Sequence, residues 1–365
     1  MPELVAPVSE PVLQPSVPTI DTLQGAALTA RLPELARFVV EVSPRLPLSR
    51  HPGWLAVLRK GLGHTPYCLE ARLDNQCKGV LPLAAVKSRL FGHFLVGLPY
   101  LNYGGPLCSD RACDGLLLQA AKDLADRLNV RYLELRDERA YDQSGFVANP
   151  GLKLHMRLPL PHEADLLWKK LDTKVRNQVR KGQKSGLELA WGGQELVDEF
   201  HAVFSENMRD LGTPAYDKRF FRAILEQFPD RAELGIARLG VKPVACCLLL
   251  HGWGITEVPS ASSLRAYNST CANMLLYWTM LERAVARGQA EFDFGRSSPD
   301  SPTYRFKKQW GALPHQAVWN HYVRKGNAGD MRPTNPKYGR AVQIWQKLPL
   351  WLTRIAGPLI VRGIP

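Results

Sequence analysis

The sequence lacks any apolar run long enough to cross a bilayer. VACCLLL at 244–250 is among its longest, where a spanning helix takes about 20 residues, and mean hydropathy is −0.19. It also lacks the cysteine spacing of a disulfide framework or a zinc ribbon: seven cysteines, an odd number with no CxxC, are scattered from Cys68 to Cys271. Cys246 and Cys247, adjacent in one apolar stretch, point to opposite faces if that stretch is a strand. A reduced, cytoplasmic chain is expected. Several catalytic signatures are missing too. There is no GxSxG, HExxH, P-loop or GxGxxG, and the nine histidines show no metal spacing, so no metal is expected. The opening MPELVAPVSEPVLQPSVPTI has no basic stretch and is broken by prolines, which argues against a secretory signal and for a disordered tail over 1–20.

Acidic residues are in short supply. Forty-seven Lys and Arg against 34 Asp and Glu leave a net charge of +13, which favours polyanionic partners such as nucleic acid, nucleotide diphosphates or anionic lipid. Charge alone does not choose among them. With 365 residues and 45% hydrophobic content, the length prior favours two globular domains, each with its own core.

The pattern along the chain repeats. CLEARLDNQCKGVLPLAAVKS reads as a hairpin about an Asp-Asn-Gln turn, LVGLPYLNYGG as a strand and irregular loop, 112–129 as a helix and VRYLELR as a closing strand. LGIARLG, a turn at VKP, VACCLLLHG, GITEVPSASS, a helix over 272–288 and AEFDFG give the same β-β-β-α-β order again. Domains are expected at 21–161 and 187–326. Between them, LLWKKLDTKVRNQVRKGQKSG predicts one connecting helix within 162–186, apolar through Leu166, Leu167, Leu171 and Val175, then basic through Lys174, Arg176, Arg180, Lys181 and Lys184. Over 327–365 the tail combines Trp345, Leu348, Trp351, Leu352, Ile355 and Leu359 with scattered Lys and Arg. Its stretch 341–362 suits either a membrane surface or the protein's own core, and Pro349 and Pro358 are expected to interrupt any long helix.

Chemistry concentrates at EFDFGRSSPDSPTYRFKKQWG, 291–311. Alternation puts Phe292 and Phe294 on one strand face and Asp293 on the other, and Gly295 frees the chain to turn. Asp293 either caps the loop amides of Ser297 and Ser298 or touches substrate. Beyond the loop, Tyr304 lies close to Lys307 and Lys308 whether the segment is extended or helical. An ammonium and a phenol so placed suit acyl transfer, the first stabilising an oxyanion and the second assisting a leaving group. The bland alternative is a solvated lysine pair, against which stand the neighbouring rings of Tyr304, Phe306 and Trp310. Ser269, Thr270 and Asn273 open the 272–288 helix, either as an ordinary cap or as an anion site. His251 reads as a satisfied strand-end residue.

RxxxRKxxxxG (Arg176, Arg180, Lys181, Gly186), together with DFG (Asp293, Phe294, Gly295) followed by FKxxWG (Phe306, Lys307, Trp310, Gly311), resembles the FemAB-like acyltransferases, tandem relatives of the GCN5-type N-acetyltransferases. More narrowly, SSLRAYNSTCANMLLYWTMLERAVARG with FDFGRSSPDSPTYRFKKQWGA is similar to the FemAB-related proteins associated with exosortase and PEP-CTERM systems in exopolysaccharide production. The resemblance spans about 45–330. It implies an α/β (α+β) fold of two duplicated acetyltransferase-like domains, with mixed central sheets flanked by helices. It also implies acyl or aminoacyl transfer to an amine in the second domain's cleft, with Lys307 against the reacting carbonyl and Tyr304 near the leaving group. Lys308 shares or replaces the lysine's part. Arg176, Arg180, Asp293, Arg296, Ser269 and Asn273 become candidate substrate contacts, with phosphate groups falling to Arg176 and Arg180. SLRAYNSTCAN departs from acetyl-CoA enzymes in having no glycines to wrap a CoA pyrophosphate, and the coiled-coil insertion of some transfer-RNA-using relatives is absent. No permanently bound cofactor is expected, and the donor stays between aminoacyl-tRNA and acyl-CoA. The rival expectation is a degenerate transferase fold that binds an anionic glycolipid precursor or a partner on the inner face of the cytoplasmic membrane. A third is transfer-RNA binding alone.

Overall fold

In chain order the computed structural model, which describes residues 18–326 and 339–364, opens with β1 (Thr19–Leu23), α1 (Gly25–Val42), a single 3-10 turn at Leu48–Arg50 and α2 (Trp54–Leu62). The first repeat follows as β2 (Thr65–Leu73), β3 (Gln76–Ser88), β4 (Gly92–Val96), β5 (Leu107–Cys108), α3 (Arg111–Arg127) and β6 (Tyr132–Asp137), and then comes β7 (Phe146–Pro159). α4 (Ala164–Lys170) and α5 (Thr173–Gln183) connect to β8 (Leu187–Gly192), α6 (Val197–Asp210) and α7 (Lys218–Gln227). The second repeat is β9 (Ala232–Leu239), β10 (Lys242–His251), β11 (Ile255–Ser263), α8 (Ala272–Ala286) and β12 (Glu291–Ser297). α9 (Pro302–Lys308), β13 (Leu313–Val323), α10 (Gly339–Lys347) and α11 (Leu350–Val361) complete the chain. The disordered tail expected over 1–20 lies mostly outside the described residues, but Thr19 and Ile20 belong to β1, which pairs with β2.

Both repeats pair as their order implies. β2-β3-β4 and β9-β10-β11 are antiparallel, and α3 and α8 each return the chain to a parallel partner, β6 beside β4 and β12 beside β11. Asp74 and Asn75, with φ of 49° and 63°, make the tight turn that the first hairpin needs. The second hairpin turns at Gly240 and Val241, one step before the expected VKP, because Gly240 supplies the positive φ (57°).

Two strands that alternation analysis did not anticipate, β7 and β13, join the repeats. The sheet order is β1-β2-β3-β4-β6-β13-β7-β12-β11-β10-β9-β8, with β5 added on β3. β13, late in the chain, thus lies against β6 of the first repeat, and β7, which precedes the connector, lies against β12 of the second. The repeats share one sheet through exchanged strands.

The core differs from the expected pair in the same way. One apolar cluster runs across both repeats on a single sheet face, joining Leu35 and Trp54 to Phe200, Phe221 and Cys246. The other face carries a separate cluster in each repeat: Leu117 and Leu133 in the first, Cys247, Leu275, Phe292 and Trp310 in the second. Cys246 and Cys247 do face opposite ways.

The connecting helix is two helices. Leu171 is extended (ψ 144°), and Asp172 caps α5 by accepting from the Lys174 amide at 2.7 Å. α5 lies close on α8: a Cβ at Gly182 would sit 2.8 Å from Leu275 Cβ and 3.2 Å from the Cys271 carbonyl. α11 docks on α6 and runs through Pro358, whereas Pro349 separates it from α10. No helix among the described residues is long and apolar enough to cross a membrane.

Candidate active site at the parted strands of the second repeat

β11 and β12 pair only from Ile255↔Glu291 to Glu257↔Asp293, although both continue beyond, so the two strands part at those carboxylates. Phe292 and Phe294 enter the apolar core, while Asp293, 0% exposed, faces the other way. Gly295 has φ of 76°, and its amide donates to Asp293 Oδ1 at 2.7 Å. Asp293 therefore caps Gly295 rather than Ser297 and Ser298. A Cβ built on Gly295 would lie 3.9 Å from the Val258 carbonyl of β11, 4.0 Å from Lys307 Nζ and 3.5 Å from the side-chain amide of Asn102. These contacts place the lysine at the gap between the strands.

Lys307 reaches it from α9, which starts cleanly because Ser301 accepts from the Tyr304 amide and Pro302 occupies the first turn. The side chain is 8% exposed, and its ammonium donates to the carbonyls of Gly295 (3.1 Å) and Arg296 (2.9 Å). A third proton is left over. Burial pulls the ammonium down to about 8; Asp293 opposes that shift, and Arg296 and Lys153 add to it. Tyr304 lies one turn earlier, half-buried against the apolar core, and its hydroxyl has no hydrogen-bond partner among the described residues. Lys308 is exposed.

The first repeat has the corresponding gap, but its own chain fills it. The Gly97 amide donates to Glu134 O, the Gly104 amide to Arg136 O, and Arg136 Nη1 to Leu101 O at 2.9 Å. A Cβ on Gly104 would fall 1.8 Å from the Gly97 carbonyl, so the two glycine backbones touch. From this plug Tyr103, 1% exposed, crosses to the second repeat, donating to Asp293 Oδ2 at 2.7 Å and accepting from Arg157 at 2.6 Å. Glu257, beside Asp293, accepts from the Ser49 amide (2.9 Å) and hydroxyl (2.5 Å); burial and the Asp293 charge push its carboxyl up to about 8. Tyr103, Arg157, Glu257 and Ser49 were not anticipated. Arg157 had a local signal, since KLHMRLP alternates basic and apolar residues.

The remaining candidates fall elsewhere. α8 begins at Ala272, after a 3-10 turn over Arg265–Thr270 and a left-handed Cys271 (φ 57°), not at Ser269 or Thr270. Asn273 lines a cavity of about 130 Å³ with Gln178, Tyr267 and Asn268, whereas Ser269 is exposed. Arg176 bonds Thr173 and Arg180 bonds Asn177 along α5, with Arg180 also over the Trp168 ring. Among the described residues no hydrogen bond, ion pair or ring contact joins either arginine to Lys307. His251 is satisfied by Glu233 and Thr256, as expected.

The acetyltransferase (GNAT) domain model matches residues 169–308, from the end of α4 to the end of α9, Lys307 included. No curated protein matches the chain. Among solved structures it is similar to FemX, at 16% identity over 88% of this chain and 100% of that one, with a TM-score of 0.62. It is similar also to a tandem GNAT protein from the clavulanic acid biosynthesis pathway (15%, 84% and 100%, TM-score 0.53). A third is L-PGS from Bacillus licheniformis (12%, 89% and 97%, TM-score 0.54). Residues 169–308 thus match the acetyltransferase (GNAT) domain model, and the chain as a whole has the fold seen in FemX and in the tandem GNAT protein.

Proposed function

We propose that the chain is a FemAB-type N-acyltransferase or aminoacyltransferase that moves an acyl group onto an amine of a cell-envelope or exopolysaccharide precursor. The observation that carries this reading is the Lys307 ammonium, buried at the gap between β11 and β12 with one proton uncommitted. An acyl carbonyl lying in that gap develops an oxyanion beside the free proton. The neutral amine attacks the carbonyl carbon and forms the new C–N bond. Collapse breaks the bond to the donor's oxygen or sulfur, which takes up a proton as the former amine loses one. Tyr304 is the candidate donor of a hydrogen bond to that leaving atom. The donor is an aminoacyl-tRNA or an acyl-CoA, and the basic side of α5 is available to its phosphates.

Lys307→Met tests this, because Met fills the volume without the charge. Purified protein is given candidate aminoacyl-tRNA and acyl-CoA donors with an amine acceptor, and product is measured by mass spectrometry. Loss of about two orders of magnitude or more in kcat is expected from removing an oxyanion donor. Transfer at the wild-type rate would remove Lys307 from the mechanism.

A second reading, an anionic-glycolipid-binding protein on the membrane face, is favoured by the exposed apolar side of α11. It differs in predicting vesicle binding without transfer.

A further inference from the structure

The seam between the repeats gathers basic side chains, of which Arg296 has no carboxylate beside it among the described residues, around a buried His155 that burial and the nearby arginines keep neutral. β6 brings Arg136, β12 brings Arg296, β7 brings Lys153 and His155, and α9 brings Lys307. Register sets Arg136 opposite Trp319 of β13 and Arg296 opposite His155, and both guanidinium groups lie over the Trp319 ring, 4.8 and 5.3 Å from its centroid. Arg136 is neutralised by Glu134 at 2.5–2.7 Å, and Glu134 also receives His321.

Arg296 has no such partner. Among the described residues no carboxylate lies within ion-pair distance of it, and its buried Nη1 has no hydrogen-bond acceptor. Next to it His155, 1% exposed, leaves both ring nitrogens unpartnered, as does the buried Ser297 hydroxyl. The Trp319 indole N–H is also without an acceptor. Tyr216, whose phenol feels the charge of both arginines, has no partner for its hydroxyl among the described residues. Burial and the nearby Arg136 charge pull the Arg296 guanidinium down to about 9. Holding an unpaired guanidinium and several unmet donors in one place costs stability. Such a cost is characteristic of a binding site, where acceptor oxygens from a ligand offset it.

We propose that Arg296, with Arg136, His155 and Tyr216 around the Trp319 ring, binds a phosphate or diphosphate group of one of the two transfer substrates. This deepens the transferase reading and rests on it for the word substrate. The Arg296 fork and the neighbouring neutral donors match the oxygens of a phosphate group, while Arg136, its fork already shared between Glu134 and Leu101 O, packs on the same ring and lines the site. The site is separate from the α5 arginines, of which Arg176 bonds Thr173 and Arg180 bonds Asn177 within their own helix. It also needs both repeats, Arg136 coming from the first and Arg296 from the second.

Calorimetric titration of the full chain with inorganic pyrophosphate, inorganic phosphate and acetate tests it at fixed ionic strength. Pyrophosphate is expected to bind more tightly than phosphate and far more tightly than acetate. Arg296→Gln is expected to weaken pyrophosphate about ten-fold or more, as losing charge-assisted bonds implies, while Arg219→Gln on the exposed side of α7 leaves it unchanged. Equal affinity of wild type and Arg296→Gln overturns the proposal, and so does an absence of millimolar binding by the wild type. Acetate binding as tight as pyrophosphate overturns the phosphate assignment. Should Arg296→Gln fail to fold, arginine Nε–Hε resonances of the wild-type protein decide: a pair must shift on pyrophosphate addition, and no shift overturns it. Pyrophosphate binding requires no turnover, so its failure is separate from a failure of the Lys307 test.

Discussion

At the scale of the residue, Lys307 is the group whose environment sets the chemistry. Its ammonium, held near 8 by burial against the opposing charge of Asp293, is mostly protonated at neutral pH. If the cation is the working form, kcat/KM falls as pH rises through about 8, the limb reporting the free protein. Asp293→Asn removes a charge that favours the cation, so the ammonium loses its proton more easily and the limb moves to lower pH. Glu257, also near 8, could imitate the limb. A limb that survives Glu257→Gln and shifts down with Asp293→Asn belongs to Lys307. A falling limb fixed near the ordinary lysine value of about 10.4 in all three proteins contradicts this account. Much of this chemistry could be read beforehand, because Asp293, Gly295 and Lys307 lie within one short segment. The capping target of Asp293 could not, since it turns on the φ of Gly295.

At the scale of the element, the two repeats look alike in sequence order yet differ in what occupies their gaps. Residues 97–105 close the first, and the touching glycines are the reason they can. Gly104→Ala forces a Cβ into the Gly97 carbonyl, a backbone atom that cannot turn aside. A loss of about 1–3 kcal/mol in denaturant unfolding is expected, with transfer falling as Tyr103 loses its hold on Asp293. Gly115→Ala in α3, where the nearest atom is 3.6 Å away at the end of Gln143, is the contrast, neutral or stabilising by about 0.5–1 kcal/mol. Equal stability of the two variants would show that the plug yields. Local periodicity disclosed α3, α8 and both hairpins, because those elements are defined by near neighbours. The plug read only as an irregular loop. Tyr103 meets Asp293, and His155 meets Arg296, through pairings that no local pattern contains.

At the scale of the whole molecule, exchanged strands bind the repeats into one sheet, and α11 adds a face of its own. Thr353, Gly357 and Val361 seat it on the body of the protein, with Arg354 donating to Ser205 Oγ at 2.9 Å and Tyr100 of the plug donating to Arg362 O at 2.6 Å. On the other side Trp351, Ile355 and Leu359, four residues apart, are 64–66% exposed. Docking and display are therefore both built into one helix, where the sequence left a choice. Residues 339–364 contain Arg340, Lys347, Arg354 and Arg362 and no acidic side chain. Burial of large apolar side chains is worth about 1.5–3 kcal/mol each, and each basic residue near an anionic surface about 1 kcal/mol more. Vesicles containing phosphatidylglycerol are thus expected to carry the protein upward in a flotation gradient, less so as salt is raised. Changing Trp351, Ile355 and Leu359 together to serine is expected to reduce flotation at least about ten-fold without lowering Tm, since none of the three faces the protein. Deleting the helix would be a poorer test, because it would uncover the α6 surface beneath. Flotation of the triple variant at the wild-type level would mean that this face does not bind lipid. Full transfer by a variant that no longer floats would separate the chemistry from the membrane and leave the transferase reading standing without it.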